Sequence, residues 1–226
     1  MIAYLCLIKH KQVTTSKEIN ILMEKKSLFS VLKTESEKTK IILDNILEML
    51  SKRIYIDSKG DKQPLIDIDT VKRLMTDMGD NVFLFDANNG IKFAVKIVYY
   101  KVSVIRKQSP LDLFLDEYAS YKKIIVVQEY SVRKTNEIQK RNAQIFEEGI
   151  MLFDMIKHKD QPEFELLSPK EMAMVKEEYN ASEYTMSKML VNDPVARYFD
   201  LSVGDIIRIK RPSPTSGKAI AYRVIV

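Results

Sequence analysis

The C-terminal end of the chain constrains the fold most, because it predicts a β-hairpin that cannot be stable alone. Within residues 206–211, Ile207 and Ile209 alternate with Arg208 and Lys210, which is the period-two pattern of a half-buried strand. Residues 212–217 read Pro-Ser-Pro-Thr-Ser-Gly and break this strand, and alternation resumes over residues 219–226. An isolated two-stranded hairpin is marginal in water, so we expect this one to join a larger sheet or another chain.

A short helix is predicted directly before the hairpin. Asp193 can accept a hydrogen bond from the first-turn amides, and Pro194 fits the first helical position, which needs no backbone donor. The helix should cover residues 195–199. Gly204 then permits the tight reversal into the first strand. The sequence thus predicts a helix packed on a hairpin as one small unit.

The residue types in this unit follow a specific order. They include, in register and without a gap, Asp193, Pro194, Val195, Ala196, Arg197, Tyr198, Phe199, Gly204, Ile209, Arg211, Pro212, Ser213, Thr215, Gly217, Tyr222 and Arg223. This run resembles the C-terminal assembly domain of the common RNA polymerase subunit family, which comprises the fifth-largest subunit of the eukaryotic RNA polymerases I, II and III and its archaeal counterpart. A chance hairpin would not reproduce so many residues as different as proline, glycine, arginine and tyrosine.

The resemblance implies a protein-binding role for this unit, with the largest polymerase subunit as the partner. Arg197, Arg211 and Arg223 carry guanidinium groups that suit directional contacts with carboxylates and backbone carbonyls. The alternative is that these residues only hold the unit together. The candidate interface residues are Asp193, Pro194, Arg197, Tyr198, Arg211, Pro212, Ser213, Thr215, Gly217, Tyr222 and Arg223.

The distribution of charge favours protein over nucleic acid as the partner of the C-terminal part. The net charge of +5 lies within residues 1–150, because residues 151–226 contain as many acidic as basic side chains. A neutral region is poorly suited to clamping phosphates. Basic residues of the N-terminal part come in separate pairs, which favours solvated helix ends and loops over a weak attraction to DNA. These pairs are Lys52-Arg53, Lys72-Arg73, Lys122-Lys123, Arg133-Lys134 and Lys140-Arg141.

The sequence predicts no catalytic, cofactor or metal site. Cys6 is the one cysteine, so no disulfide can form within the chain, and two histidines with one cysteine cannot supply the usual ligands of zinc. The six glycines form no phosphate-binding loop. No apolar run reaches the roughly 20 residues that a membrane-spanning helix needs. We therefore expect neither a small-molecule substrate nor a membrane partner.

Helical periodicity dominates the first part of the chain. Ile42, Ile46 and Leu50 recur at four-residue spacing, which predicts a long helix over residues 28–54. Asp69 is placed to cap a second, shorter helix. The other predicted helices start at Ser109-Pro110, Lys134 and Ser168-Pro169 and end near Tyr121, Gln144 and Tyr179, and the last has a capping box of Ser168 and Glu171.

Strand signals alternate with these helices. Val82–Asp86 and Ile91–Tyr100 flank Asn88-Asn89-Gly90, which favours a hairpin because an Asn-Gly pair tolerates positive φ. Residues 124–130 form the β-branched run of a strand buried on both faces, and residues 150–156 predict another strand. The order of strand, helix and strand implies a mixed sheet with a parallel crossover.

This arrangement is similar to the jaw domain of the same family, whose topology resembles that of type II restriction endonucleases. The predicted fold class is α/β plus α+β: a mixed-sheet N-terminal jaw domain over residues 28–148, and a small C-terminal helix-plus-β-hairpin assembly domain over residues 149–226. Residues 1–27 would form a leader. A nuclease site needs paired acidic residues near a lysine, whereas this hairpin offers Asp86 alone. We therefore expect an endonuclease-like jaw without an active site.

The chain departs from the family pattern at several positions. The segment Phe164–Glu171 has neither histidine of the usual element, and Asp200 replaces the usual glycine after Phe199. Residues 1–22 have no evident counterpart in the family. These differences indicate a diverged member, such as the copies carried by large cytoplasmic DNA viruses.

The sequence therefore predicts a noncatalytic structural subunit of a multisubunit DNA-dependent RNA polymerase. Its assembly domain would dock on the largest subunit, and its jaw would lie beside the downstream DNA with weak, non-specific attraction to phosphates. It would reside with the polymerase, in the nucleus of a cell or in the host cytoplasm and virion of a virus. The alternatives are a free-standing DNA-binding or regulatory protein with the same assembly fold and, with least support, a nuclease.

Overall fold

The computed structural model describes residues 33–103, 105–131, 138, 140–180, 185–213 and 217–226. In this part of the chain the helices are α1 (Glu35–Lys52), α2 (Ile68–Leu74), α3 (Pro110–Glu117), α4 (Glu148–Met151), α5 (Pro169–Glu178) and α6 (Pro194–Phe199), with a 3₁₀ turn at Met155–Lys157. The strands are β1 (Ile54–Ile56), β2 (Lys62–Pro64), β3 (Thr76–Asp77), β4 (Val82–Asp86), β5 (Lys92–Val102), β6 (Lys122–Tyr130), β7 (Ala143–Glu147), β8 (Glu163–Leu166), β9 (Ser187–Met189), β10 (Ile206–Ser213) and β11 (Gly217–Ile225). None of these helices has the length and apolar character needed to cross a bilayer.

A five-stranded sheet forms the centre of the N-terminal part. Its strand order is β3-β4-β5-β6-β7. β4 pairs antiparallel with β3 and β5, whereas β5, β6 and β7 run parallel. Since α3 lies between β5 and β6 in the chain, the predicted mixed sheet with a parallel crossover is confirmed.

Helices cover both faces of this sheet. Successive side chains of a strand point to opposite faces, so β5 contributes to two separate hydrophobic clusters. Phe93 packs with Ile42, Ile46 and Leu50, the predicted inner face of α1, and all four are fully buried. Ala94 belongs to the second cluster, which contains the apolar side of α3. The near-continuous apolar run in β5 and β6 is thus explained by burial on both sides.

The hairpin predicted at Asn88-Asn89-Gly90 is confirmed. β4 and β5 pair in register from Asp86 with Lys92 onward, and Gly90 N donates to the Ala87 carbonyl at 2.9 Å. Within the turn only Gly90 has a positive φ, +80°. The glycine alone therefore meets the left-handed requirement of this turn.

The long helix begins later than its periodicity predicts. Thr34 and Glu37 form a reciprocal cap: Glu37 N donates to Thr34 Oγ1 at 3.3 Å, and Thr34 N donates to Glu37 Oε2 at 2.8 Å. Residues 33–34 are therefore outside the helix, and residues 28–32 lie outside the described part of the chain. The spacing of the hydrophobic residues predicted the packed turns of α1 correctly, but it did not predict where the N-terminal cap lies.

Two shorter helices also differ at one end. Asp67, not Asp69, caps α2, because its carboxylate accepts a hydrogen bond from the third helical amide at 3.2 Å. Ser109 caps α3 as predicted, yet α3 ends at Glu117 rather than near Tyr121. Each correction moves a boundary by a few residues without changing which elements exist.

Residues 134–137 and 139 of the polar helix predicted over residues 134–144 lie outside the described residues. Its predicted end is wrong, because Ala143–Glu147 form β7. This strand pairs parallel with β6, with Ile125 opposite Ile145. The apolar residues of β7 thus extend the sheet rather than a helix.

The strand predicted over residues 150–156 is wrong. Helix α4 and the 3₁₀ turn occupy this segment. Asn45 Nδ2 donates to the Met151 carbonyl at 2.8 Å, and Asp154 caps the 3₁₀ turn by accepting from Ile156 N at 3.1 Å. These contacts direct the apolar side chains of the segment into the cluster under α1 without strand pairing.

A four-stranded sheet, in the order β8-β10-β11-β9, forms the C-terminal part. β10 and β11 are the predicted hairpin, which β8 extends antiparallel and β9 extends parallel. Helix α5, which carries the predicted capping box, packs on one face, and α6 packs on the other. The expectation that the hairpin joins a larger sheet is confirmed.

Candidate protein-interaction site

Helix α6 starts as the sequence predicts. Asp193 accepts a hydrogen bond from Val195 N at 2.9 Å, and Pro194 occupies the first helical turn. Val195 and Ala196 bury their side chains against the C-terminal sheet. Asp193 and Pro194 therefore shape and orient the helix, which is a local role within the chain.

Arg197 is used inside the chain, between α6 and the five-stranded sheet. Its Nη1 donates to Tyr130 Oη at 2.7 Å, and its Nη2 donates to the Ile145 carbonyl on the outer edge of β7. The guanidinium also lies over the Phe146 ring, 5.1 Å from its centroid. This geometry favours the intradomain alternative for Arg197 over contact with another protein.

Tyr198 is also internal, with only 4% of its surface exposed. Its ring packs in the cluster under α1, and Lys52 Nζ lies 5.8 Å from its centroid. Burial raises the pKa of the Tyr198 hydroxyl, and the negative charges of Asp154 and Glu48 act in the same direction. Among the described residues the hydroxyl has no hydrogen-bond partner. Tyr198 is therefore a core residue of the contact between helices.

Arg53 caps the carboxyl end of α6. The sequence interpretation had placed it on a solvated helix end. It is 3% exposed, its Nε donates to the Tyr198 carbonyl at 2.8 Å, and its Nη2 donates to the Arg197 carbonyl at 3.1 Å. Burial lowers the pKa of its guanidinium to about 10, while the Asp200 carboxylate acts against that shift. A cation at the carboxyl end of a helix stabilises the unpaired carbonyls there.

Asp200 completes this junction. It has left-handed backbone angles, φ +56° and ψ +44°, as the C-cap of α6. Its carboxylate accepts hydrogen bonds from Lys122 Nζ and Gln144 Nε2, and Arg53 Nη1 lies 3.9 Å away. The conformation explains why glycine suits this position, and the contacts explain how an aspartate can replace it. We call Arg53, Lys122, Gln144, Arg197 and Asp200 the junction residues.

The remaining candidate residues lie on the β10–β11 hairpin. Arg211, Pro212, Gly217 and Arg223 are exposed, and Ser213 is half-buried. Thr215 lies outside the described residues. Neither guanidinium of this group has a hydrogen-bond or ion-pair partner in the described part of the chain.

Tyr222 belongs to a packed cluster on the face that carries α5. Its ring lies 5.5 Å from the Tyr179 ring, and Arg208 lies over it at 5.6 Å. Arg208 Nη1 also pairs with Glu165 at 3.2 Å. Tyr222 therefore has an internal role. The sequence interpretation missed Arg208, because a basic residue that alternates with apolar ones is typical of any solvated strand face.

Three of the basic pairs contain a residue with partners inside the chain. Besides Arg53, Lys123 is 1% exposed, and its Nζ donates to the Tyr118 and Tyr121 carbonyls at 3.0 and 3.2 Å. Arg141, in the third pair, binds the Asp112 and Asp116 carboxylates of α3. The prediction of solvated ends is therefore wrong for the buried Arg53 and Lys123.

The residues considered for nuclease chemistry are dispersed. Asp86 is exposed opposite Lys92, while Lys96 is buried and pairs with Asp80 at 2.8 Å. Over the described ranges, no group of three or more histidine, cysteine, aspartate or glutamate side chains could hold a metal ion. The hairpin therefore presents no paired carboxylates beside a lysine.

Comparison with known proteins identifies the family. Residues 153–225 match the family model described as RNA polymerase Rpb5, C-terminal domain. Over 201 residues the chain is 49% identical to the DNA-directed RNA polymerase subunit 5 of Acanthamoeba polyphaga mimivirus, a match that covers 89% of this chain and 98% of that one. The chain belongs to the Rpb5 family. The family predicted from residues 193–226 is thereby confirmed.

Other Rpb5 relatives are cellular. The DNA-directed RNA polymerases I, II and III subunit of Dictyostelium discoideum is 27% identical, over 82% of this chain and 95% of that one. The archaeal subunit Rpo5 of Methanosphaera stadtmanae is 40% identical over 75 residues, which are 33% of this chain and 97% of the archaeal one. The higher full-length identity to the viral protein confirms the predicted diverged, virus-type Rpb5 member.

Proposed function

We propose that this chain is a noncatalytic structural subunit of a multisubunit DNA-directed RNA polymerase and docks on the largest subunit through its C-terminal hairpin. Its Rpb5 relatives bear the names of polymerase subunits, which supports a place in that complex. The single observation that carries the docking is the pair of exposed guanidiniums, Arg211 and Arg223, without partners among the described residues. Guanidinium groups of this kind form strong, directional contacts with carboxylates.

The docking surface comprises the exposed part of the predicted interface. Its described residues are Arg211, Pro212, Gly217 and Arg223. Ser213 and Tyr222 flank them from less exposed positions. Asp193, Pro194, Arg197 and Tyr198 support this surface by fixing α6, which packs on the hairpin.

The two sheets belong to two functional parts in this proposal. The jaw domain, residues 28–148, has the endonuclease-like topology and lies beside the downstream DNA, with weak and non-specific attraction to phosphates. The assembly domain, residues 149–226, anchors it. The dispersed positions of Asp86 and Lys96 support a jaw without nuclease chemistry. Catalytic metal ions and nucleotides are then the concern of other subunits, and this chain needs no cofactor.

The location of the protein follows from the complex. A subunit that stays with its polymerase resides where that polymerase works. The full-length identity of 49% to a viral subunit supports the host cytoplasm and the virion over the nucleus.

Affinity purification tests this function directly. The full chain, tagged and produced in cells that make the polymerase, should recover the largest subunit and the other subunits in a fixed ratio, identified by mass spectrometry. The recovered complex should synthesise RNA on a DNA template. The chain alone should not.

The control separates this function from a free-standing DNA-binding protein. The purified chain alone is titrated with duplex DNA at several salt concentrations. Weak, strongly salt-dependent binding agrees with the proposal. Tight DNA binding by the isolated chain, with no polymerase recovered from cells, contradicts it and favours the DNA-binding alternative.

A further inference from the structure

One face of the β10–β11 hairpin carries two arginines and two alanines that none of the described helices covers. Paired residues of an antiparallel ladder lie on the same face. Arg211 pairs with Ala219, Ile209 pairs with Ala221, and Ile207 pairs with Arg223. Arg211, Ala219, Ala221 and Arg223 therefore share the face on which α6 packs. We call these four residues the arginine face.

Helix α6 covers the large apolar residues of this face. Its residues Val195 and Ala196 bury Ile207 and Ile209, which are at most 8% exposed. The helix has only six residues and is about 9 Å long. Arg211, Ala221 and Arg223 remain exposed, and Ala219 is half-buried.

On the opposite face of the same strands, Arg208 and Lys210 have carboxylate partners. There Arg208 Nη1 pairs with Glu165 at 3.2 Å, and Lys210 Nζ pairs with Glu165 at 3.0 Å and with Glu163 at 3.4 Å. The hydrogen bond from Lys210 holds the pKa of Glu165 below its usual value. The chain thus supplies carboxylates to Arg208 and Lys210 of one face and none, among the described residues, to Arg211 and Arg223 of the other.

We propose that the arginine face binds an extended, acidic segment of another polymerase subunit, with carboxylates on Arg211 and Arg223 and its backbone over Ala219 and Ala221. This proposal rests on the proposed function and names the chemistry of the partner. The two alanines form a low floor between two long side chains, which admits a flat, extended chain. Each guanidinium can bind one carboxylate through two parallel hydrogen bonds.

The spacing of the two arginines fits such a segment. Arg211 is opposite Ala219, so the two arginine positions are separated along the strands by four residues, or about 13 Å at the rise of an extended chain. Two acidic side chains on one face of an extended partner, four residues apart, have the same separation. A partner with this pattern meets both guanidiniums without bending.

Carboxylates fit this surface better than phosphates do. Residues 151–226 carry equal numbers of acidic and basic side chains, so the domain has no general attraction for a polyanion. Two isolated guanidiniums on a neutral domain select a partner of matching local charge. Nucleic acid, which rewards a broad basic surface, would gain little here.

The test uses matched charge reversals in the full chain. The variant Arg211→Glu/Arg223→Glu reverses the arginine face. The control Lys159→Glu/Lys188→Glu makes the same change in charge away from the arginine face, because Lys188 pairs with Val224 on the opposite face and Lys159 lies outside the hairpin. All four side chains are exposed, so both variants should remain folded, which circular dichroism checks.

The expected result is at least tenfold less polymerase recovered with the Arg211→Glu/Arg223→Glu variant and unchanged recovery with the control. If both variants recover as much polymerase as the unaltered chain does, the arginine face is overturned, and with it docking through Arg211 and Arg223, while the place of the chain in the polymerase stands. Equal loss with both variants overturns the arginine face as well, since the effect would not depend on the face. Failure of the unaltered chain to recover polymerase would instead overturn the proposed function and the arginine face together.

A second measurement identifies the partner group. In the variant Arg211→Lys/Arg223→Lys, a water-soluble carbodiimide should couple the new amines to partner carboxylates as amide bonds, and mass spectrometry should place these bonds in one acidic segment of another subunit. Duplex DNA binding that is lost in Arg211→Glu/Arg223→Glu but kept in the control would assign the arginines to phosphate and overturn the proposal. Cross-links scattered over many subunits would overturn it too.

Discussion

Four arginine side chains show how differently this chain uses the same residue type. Arg53 is buried and binds the last carbonyls of α6, Arg197 joins α6 to the edge of β7, and Arg211 and Arg223 project from the hairpin without partners among the described residues. The motif over residues 193–226 predicted that its arginines make directional contacts. It could not separate them, because the partners of Arg197 lie in β6 and β7, far away in sequence.

At position 200 we predict that the backbone conformation and the side-chain contacts contribute separately to the free energy of unfolding. Asp200→Ala should lower the free energy of unfolding by about 2–3 kcal/mol, because the carboxylate contacts to Lys122 and Gln144 are lost and alanine is strained in the left-handed region. Asp200→Gly should recover about 1 kcal/mol of this loss, since glycine adopts that region freely. Urea unfolding measures both variants. Equal stability of the two would show that φ +56° costs nothing here.

Helix termini are the elements whose stability depends most on single side chains in this fold. In the capping box of α5, Ser168 N donates to Glu171 Oε2 at 2.7 Å, and Lys62 Nζ lies 2.6 Å from the same atom. Burial alone would raise the pKa of Glu171, but the hydrogen bonds from Lys62 and Ser168 lower it to about 2 from its ordinary value of 4.5. The carboxylate form of Glu171 is therefore the one that stabilises the fold.

The pH dependence follows from that direction. The folded chain holds the Glu171 proton less tightly than the unfolded chain, so its stabilising contribution is complete above pH 4.5 and is lost as the pH falls toward 2. Because the group is partly exposed, we expect about 1 kcal/mol. Glu171→Gln, which keeps the cap geometry, should be less stable than the unaltered chain near neutral pH, and the difference should shrink in acid. A difference that is constant with pH, or one also seen with Glu177→Gln, would contradict this.

The buried ammonium group of Lys123 binds carbonyls at the carboxyl end of helix α3. Burial lowers the pKa of Lys123, yet its Nζ remains within 3.0–3.4 Å of the Tyr118, Ala119 and Tyr121 carbonyls. Lys123→Met should cost about 2 kcal/mol or more, because buried carbonyls lose their donor. Hydrogen exchange at the amides of Leu115 and Tyr118 should accelerate. Lys140→Met, at an exposed site, is the control and should change neither measurement.

The elements themselves were largely predictable, and the reasons for the errors are physical. Packed faces such as Ile42, Ile46 and Leu50 repeat with the period of a helix, so their position follows from spacing. The segment over residues 150–156 is apolar but short, and spacing does not distinguish a strand from a helical turn in so few residues. Here the hydrogen bond from Asn45 to Met151 decides the outcome, and that contact joins distant positions.

At the scale of the whole molecule, the junction residues should make the two sheets unfold together. Arg197→Lys keeps the charge but loses the two-directional contact with Tyr130 and Ile145, so we expect about 2 kcal/mol of destabilisation. Far-ultraviolet circular dichroism and tyrosine fluorescence should report one urea transition in the unaltered chain and separate transitions in this variant. Arg211→Lys, at an exposed position, should change the free energy by less than about 0.5 kcal/mol. Coincident transitions in Arg197→Lys would show that the junction does not couple the sheets.

The candidate site was predictable in part for the same reason. The hairpin follows from local alternation, whereas the exposure of Arg211 and Arg223 does not, because alternation places both on the same face as the buried Ile207 and Ile209. The internal roles of Arg197 and Tyr198 do not follow from it either, because burial by another sheet is a long-range property. Charge pairs in the sequence were equally ambiguous, since Lys122 and Lys123 are neighbours with unrelated partners, Asp200 and the end of α3.

The left-handed aspartate after α6 has a consequence for how relatives diverge. A chain with glycine at position 200 has no carboxylate there, so a lysine at position 122 would lose its counter-ion and a glutamine at position 144 would lose its acceptor. An acidic residue at position 200 also places a negative charge near the buried guanidinium group of Arg53. Positions 122, 144 and 200 should therefore be inherited as a set, and substitutions at one of them should be followed by substitutions at the others.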